Sequence, residues 1–317
     1  MIEVEGLSKR YGEKVAVDGL DFVVRPGIVT GFLGPNGAGK STTMRMIAGL
    51  DEPTTGRVRV SGRDYRGAFA PMAELGILLE AKAVHTGRSA RNHLLALAQT
   101  NGIGRRRVDE VIDTVGLSEV AGKRVGGFSL GMGQRLGVAS ALLGDPAVVV
   151  LDEPANGLDP EGVLWMRTLL TGLAAQGRTV FVSSHLMSEM ALTATRLVVV
   201  GRGRLIADTT VEEFVARAAG NAVTVRTPDP VRLRDLLLGP DVTVTGEGSG
   251  LLRVQGLSAE QIGDIAWRDH VALHELSVDA PSLEEAFIEF TRDAVEYRSH
   301  DSGSADRAGV PEMAGAR

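Results

Sequence analysis

The segment Gly34-Pro35-Asn36-Gly37-Ala38-Gly39-Lys40-Ser41-Thr42 sets a lysine and two hydroxyls directly behind a glycine-rich turn. Glycines let successive backbone N–H groups turn inward on a polyphosphate, and a helix opening at the lysine adds the positive end of its dipole. The pattern is GxxxxGK(S/T). It lies where that chemistry needs it, after an apolar strand (Ile28 to Leu33) and before a helical stretch (Thr42 to Ala48). Lys40 then supplies a point charge for the β- and γ-phosphates of a nucleotide, and Ser41 a hydroxyl for Mg²⁺. Asp152 and Glu153 close the apolar run Ala147 to Leu151. A carboxylate at the carboxyl end of a parallel strand stands in the crevice beside such a loop. Asp152 therefore reads as a partner of Mg²⁺, and Glu153 as the base or positioner of an attacking water.

Further motifs are arranged around these two. Phe128-Ser129-Leu130-Gly131-Met132-Gly133-Gln134-Arg135 precedes a predicted helix Gln134 to Leu143, one strand upstream of Asp152. Asn156-Gly157-Leu158-Asp159 follows Glu153, His185 ends the next strand in Ser183-Ser184-His185, and Lys9-Arg10-Tyr11-Gly12 lies ahead of the phosphate loop. This ordered set, over residues 1 to about 218, resembles the ATP-binding subunit of ABC transporters. The likeness is strongest to the drug-resistance (daunorubicin/bacitracin-type) export branch, whose members carry a similar carboxy-terminal domain ending in a LEEAF-type helix, here Leu283 to Phe287.

The resemblance implies a role for each motif. Tyr11 would stack on adenine. Ser129 and Gly131, at a helix N-terminus, would contact the γ-phosphate of ATP held by the other subunit of a head-to-tail homodimer. Asp159 would organise the dimer interface, with a plain helix N-cap before Pro160 as the alternative. His185 would sense the γ-phosphate. The segment Ala81 to Leu97, carrying Arg88 and Arg91, would dock onto an integral membrane permease subunit. Two positions depart from the family pattern. Leu130 stands where the signature normally has its first glycine. Glu80 stands where a glutamine normally touches Mg²⁺, which would make it a third acidic group beside Asp152 and Glu153; a solvated loop residue is the other reading.

The elements that must position these residues follow from composition and periodicity. The chain has 317 residues, 44% hydrophobic and 23% charged, enough for two cores without staples. Net charge is −6, which gives no chain-wide footprint for nucleic acid, and the lack of cysteine excludes disulfides and thiolate metal sites. No apolar run approaches the ~20 residues of a membrane span. If the chain acts at a membrane, a partner must supply the span; the resemblance implies a peripheral placement at the cytoplasmic face, beside the permease.

Short strands come first, a helical stretch runs from Ser89 to Leu143, and the runs Ala147 to Leu151 and Thr179 to Ser183 read as strands buried on both faces. The expected fold class is α/β, a P-loop NTPase with an ABC-type helical insertion at about 81–143. After a boundary near Ala219–Asn221, a βαβ–βαβ order plus a last helix predicts a small ferredoxin-like α+β domain over 222–297, and 298–317 reads as a disordered tail. Taken together, these features predict an ATP-hydrolysing subunit that homodimerises on two ATP–Mg²⁺ and powers export of a drug-like or amphipathic substrate. A soluble ABC-type ATPase and a nucleotide-binding regulator not coupled to transport are the alternatives.

Overall fold

The computed structural model describes residues 1–80, 84–218, 222–246, 250–278 and 281–295. In chain order, β1 (Ile2–Tyr11), β2 (Lys14–Val24), β3 (Val29–Leu33), α1 (Lys40–Ile47) and β4 (Thr55–Val60) are followed by α2 (Pro71–Glu74) and β5 (Leu75–Leu78). Next come α3 (Ala90–Thr100), α4 (Arg105–Thr114), α5 (Leu130–Leu142), β6 (Val148–Leu151), α6 (Pro160–Ala175) and β7 (Thr179–Ser183). Then α7 (Met187–Thr193), β8 (Arg196–Gly201), β9 (Arg204–Thr210) and α8 (Val211–Ala218) lead to β10 (Ala222–Arg226) and α9 (Pro230–Leu237). The chain closes with β11 (Thr243–Gly246), β12 (Leu251–Gln255), α10 (Ala259–Arg268), β13 (Glu275–Val278) and α11 (Leu283–Val295).

Six strands form one sheet in the order β5-β6-β7-β3-β8-β9, parallel throughout except for the last pair. Its central strands β6, β7 and β3 are buried at every position because each side faces a different core. Val148 and Val150 point into a layer shared with the antiparallel β2-β1-β4 sheet, where Phe22, Phe32 and Phe181 stack with centroids 4.9–5.9 Å apart. Val149 and Leu151 point the other way, under α3, α5 and α6. The helical insertion consists of α3, α4 and α5. It is tied to α6 by Arg135, whose guanidinium lies 4.2 Å from the Trp165 ring centroid, and by Trp165 Nε1 donating to the Thr114 carbonyl at 3.3 Å.

The small sheet runs β11-β12-β10-β13, all antiparallel, with α9 and α10 packed on one face. This is the ferredoxin-like order expected from the βαβ–βαβ pattern. The Ser258/Gln261 capping box forms, and Ser282 and Glu285 exchange the same pair of bonds at the start of α11. That last helix, expected within the small domain, packs instead on α7 and α8. Leu283 and Ala286 are buried in the core of the six-stranded sheet, and Phe290 stacks on Phe214 at 5.0 Å. Its apolar stripe is real, but stripe spacing says nothing about which core receives it.

Three boundaries shift for local reasons. Helix α5 starts at Leu130 rather than Gln134, because Ser129 is its N-cap and the glycines at 131 and 133 form the first turn. Helix α1 starts at Lys40 rather than Thr42. Strand β13 starts only at Glu275, since the Val271 N–H still caps α10 through the Ala266 carbonyl. The expected boundary at 219–221, the start of the docking segment at 81–83 and the tail at 298–317 lie outside the described residues.

Phe214 is 1% exposed and carries the aromatic contact that holds α11 down. Phe214→Ala is expected to cost about 3–5 kcal/mol, read as a lower urea midpoint for unfolding. An unchanged midpoint would mean that α11 docks without it.

Candidate nucleotide site

The strand order decides the site. Because β7 lies between β6 and β3, the loops after all three emerge side by side at one edge of the sheet. They carry the phosphate loop (after β3), Asp152 and Glu153 (after β6), and Ser184 and His185 (after β7). Together with Tyr11, Lys14 and Ala16 from the antiparallel sheet, Asn36, Gly37, Gly39, Lys40, Ser41, Thr42, Asp152 and Glu153 line an open cavity of about 360 Å³.

The loop has the backbone that its glycines imply. Gly37 and Gly39 have φ of +81° and +99°, a region other residues enter only at a cost. A Cβ on Gly39 would lie 2.5 Å from the Ala16 carbonyl oxygen, and one on Gly34 2.5 Å from that of Val200. Pro35 and Asn36 span the turn between them, and the Ala38 N–H closes it on the Pro35 carbonyl at 3.1 Å. Lys40 Nζ folds back to donate to the carbonyls of Gly34 (2.6 Å) and Pro35 (3.3 Å). Burial pulls its ammonium below the ordinary lysine value, while Glu153 and Asp152 pull the other way. A half-buried cation held only by neutral carbonyls is a ready receptor for phosphate oxygens.

The adjacent carboxylates face different partners. Asp152 accepts from Ser41 Oγ at 2.7 Å and from Ser183 Oγ at 2.5 Å. Glu153 has φ of +50°, a left-handed backbone that costs a non-glycine residue about 1–2 kcal/mol. That turn carries its side chain to His185, with Nδ1 2.6 Å and the backbone N–H 3.2 Å from Oε2. The same Ser183 hydroxyl that donates to Asp152 accepts the Glu153 N–H at 2.9 Å, so one buried serine orients both acids. Tyr11, 49% exposed on the cavity rim, donates to Asp51 Oδ2 at 2.9 Å, and Arg45 holds the same carboxylate. Its ring is thereby fixed for stacking. Burial first, and then the Asp51 bond, raises the phenol above its ordinary pKa.

The remaining expected residues lie apart from this cavity. Ser129 is exposed and caps α5, its Oγ accepting from Met132 N–H at 3.2 Å. Asp159 caps α6, Oδ1 accepting from Gly162 N–H at 2.9 Å, with Pro160 at the first helical position. Within one chain its N-cap reading is the one realised. Glu80 is exposed just beyond β5. Asp152 N–H donates to Leu78 O at 2.7 Å, and past that rung β5 and β6 no longer pair. Among the described residues no three His, Cys, Asp or Glu side chains are grouped to hold a metal ion.

Ser183, Gln134 and Asp51 have functional contacts that the motif reading did not single out. Ser183 had a signal, a polar residue ending an otherwise apolar strand. Asp51 had none. The Leu130 departure also finds its reason, because Leu130 rests on Gly157. A Cβ on Gly157, whose φ is +75°, would lie 2.1 Å from Leu130 Cδ2, and a Cβ on Gly131 would lie 3.4 Å from the Gly157 carbonyl oxygen and from Leu158 Cδ2. Gly157→Ala is expected to destabilise the protein through both backbone and clash, and adding Leu130→Gly should return only the clash component. Melting of the two single variants and the double variant checks this, and strict additivity would deny the contact.

Comparison with known proteins agrees with this geometry. The profile of the ABC transporter family matches residues 17–156, and a profile described as "Domain of unknown function (DUF8746)" matches residues 221–284. The chain is 41% identical over 209 residues to the bacitracin transport ATP-binding protein BcrA of Bacillus licheniformis, covering 65% of this chain and 68% of that one. It is 33% identical over 314 residues to the daunorubicin resistance ATP-binding protein DrrA3 of Streptomyces coeruleorubidus, covering 92% of this chain and 96% of that one. A solved dimeric structure of the ATP-binding cassette MJ0796, in a post-hydrolysis state bound to ADP and Pi, has the same fold over 66% of this chain and 98% of its own, with a TM-score of 0.59 at 21% identity. With its phosphate loop, strand-end acid pair and near full-length relatedness in place, the chain belongs to the ATP-binding, ATP-hydrolysing subunits of ABC transporters.

Proposed function

We propose that this subunit homodimerises around two ATP–Mg²⁺ at the cytoplasmic face of the membrane and drives an integral membrane permease that exports a drug-like or amphipathic compound. The observation that carries the reading is the split pair, with Asp152 turned to Ser41 and Glu153 to His185 beside one half-buried ammonium. The named relatives act in bacitracin transport and daunorubicin resistance, which supports export of such compounds. Among the described residues no helix is long and apolar enough to cross a membrane, which supports a separate permease. The dimeric cassette of the same fold supports the pairing.

The residues divide the work. Lys40 exchanges its carbonyl partners for the β- and γ-phosphate oxygens, and the loop amides of Gly37 to Ser41 take the rest of the anion. Thr42 follows in the first turn of α1, and Tyr11 stacks on the base. Ser41 and Asp152 present two oxygens on one side of the phosphates and would hold Mg²⁺, which when bound neutralises charge across the β- and γ-oxygens. Glu153, held by His185, accepts the proton of the attacking water. Ser129 and Gly131, exposed at the α5 N-terminus, close over the nucleotide of the partner, with Asp159 at the same interface. No part of this engages nucleic acid.

Lys40→Ala is expected to abolish ATP binding. Glu153→Gln should retain binding while lowering turnover by roughly 10²–10⁴-fold, the range for a positioned base. Equilibrium ATP binding and phosphate release read the two effects separately, and parental turnover by either variant would overturn the reading. Glu80→Gln should keep turnover within about tenfold, or ~1.4 kcal/mol. Complete loss would make that carboxylate essential.

A further inference from the structure

Gln134 is a polar side chain 5% exposed in the second turn of α5, among Leu136, Val138 and Ala139. It does not itself line the nucleotide cavity. Its Nε2 donates to the main-chain carbonyl of Glu153 at 3.1 Å. That carbonyl belongs to the one residue of the site with a left-handed, non-glycine backbone. A strained conformation persists only where its surroundings fix it. Ser183 fixes the Glu153 N–H, His185 fixes the carboxylate, and two donors hold the carbonyl: the Asn156 N–H of the same turn at 3.1 Å and, from a different element, Gln134. Losing the amide would leave that carbonyl to its local turn bond alone and untie the Glu153 peptide from α5.

The position of Gln134 along the chain gives this hold a second consequence. The helix that carries it begins at Ser129, and its first turn rests on Gly157 and Leu158, in the loop that leaves Glu153. One rigid element therefore touches the Glu153 backbone at one point and presents an exposed anion-binding end at another. We propose that Gln134 is a positioning residue for Glu153, and that through it α5 links hydrolysis in a chain's own site to engagement of its Ser129 end by the partner's nucleotide. The proposal rests on the roles given above to Glu153 and Ser129.

Phosphate release by the full-length chain, under single-turnover and steady-state conditions, tests it. Gln134→Leu keeps the volume and removes the donor. It is expected to lower kcat ten- to a hundredfold with KM and ATP affinity within about twofold, and to flatten any cooperativity in the ATP dependence. In a Glu153→Gln background the same change should add nothing, because a positioner has no effect once the group it positions is gone. An equal loss in both backgrounds would show general damage and overturn the proposal, as would an unchanged kcat. If Glu153→Gln alone runs at the parental rate, the role of Glu153 itself fails and this inference fails with it. A melting scan reports whether Gln134→Leu folds. Should it not, Gln134→Glu decides: its activity relative to the parent should recover as pH falls, when the protonated carboxyl regains an O–H donor for the Glu153 carbonyl. A flat ratio across pH would overturn the proposal.

Discussion

Everything at the nucleotide site depends on the neighbour order β6-β7-β3 in a parallel sheet. Parallel strands end at the same edge, so loops that are distant in sequence open next to one another there. That placement turns Ser183, at the end of the middle strand, into the link between Asp152 and Glu153, and it puts Ser41 within 2.7 Å of Asp152 across more than a hundred residues of chain. The strands can be short because both of their faces are dry. Val148 to Leu151 alternate between two cores, and nothing polar is needed until the carboxyl end, where the acids begin.

The acids differ by their partners rather than by residue type. Asp152 accepts two hydroxyl bonds, from Ser41 and Ser183. Glu153 is turned out of line by its positive φ and meets an imidazole. Two adjacent carboxylates with identical surroundings would repel and share one role. The left-handed residue between β6 and the following loop separates them, and the contacts that stabilise it come from three elements: β7, the loop after it, and α5. The site is therefore a property of how the helical insertion sits on the sheet as well as of the sheet itself.

Much of this was legible in the sequence because phosphate binding uses local chemistry. A glycine turn, a lysine and a helix start are contiguous, and the strands around them are uniformly apolar. The βαβ–βαβ pattern likewise gave the order of the small sheet. What escaped was of two kinds. Leu130 looked like a loss of a needed glycine, whereas its side chain occupies the space left by Gly157, a relation between two loops that no local pattern contains. The α5 boundary escaped because glycine is a poor helix former, and only the Ser129 hydroxyl on Met132 N–H shows that the first turn is helical.

The last helix shows the same limit and gives it a physical meaning. The Leu283, Ala286, Phe287 and Phe290 stripe is the spacing of any amphipathic helix, and α9 and α10 already cover the core face of the small sheet. The large core receives it instead, with Phe290 against Phe214. Burying Leu283 and Ala286 there removes them from water. The chain thus leaves the large core at α8, builds the small sheet, and returns at α11. Where α11 begins, the Glu285 carboxyl is held below the usual range by its bonds with Ser282 and, more weakly, by the positive charge of Arg253 on β12. The cap therefore fixes where the last helix starts, and the buried contacts of Leu283, Ala286 and Phe290 decide which core it joins.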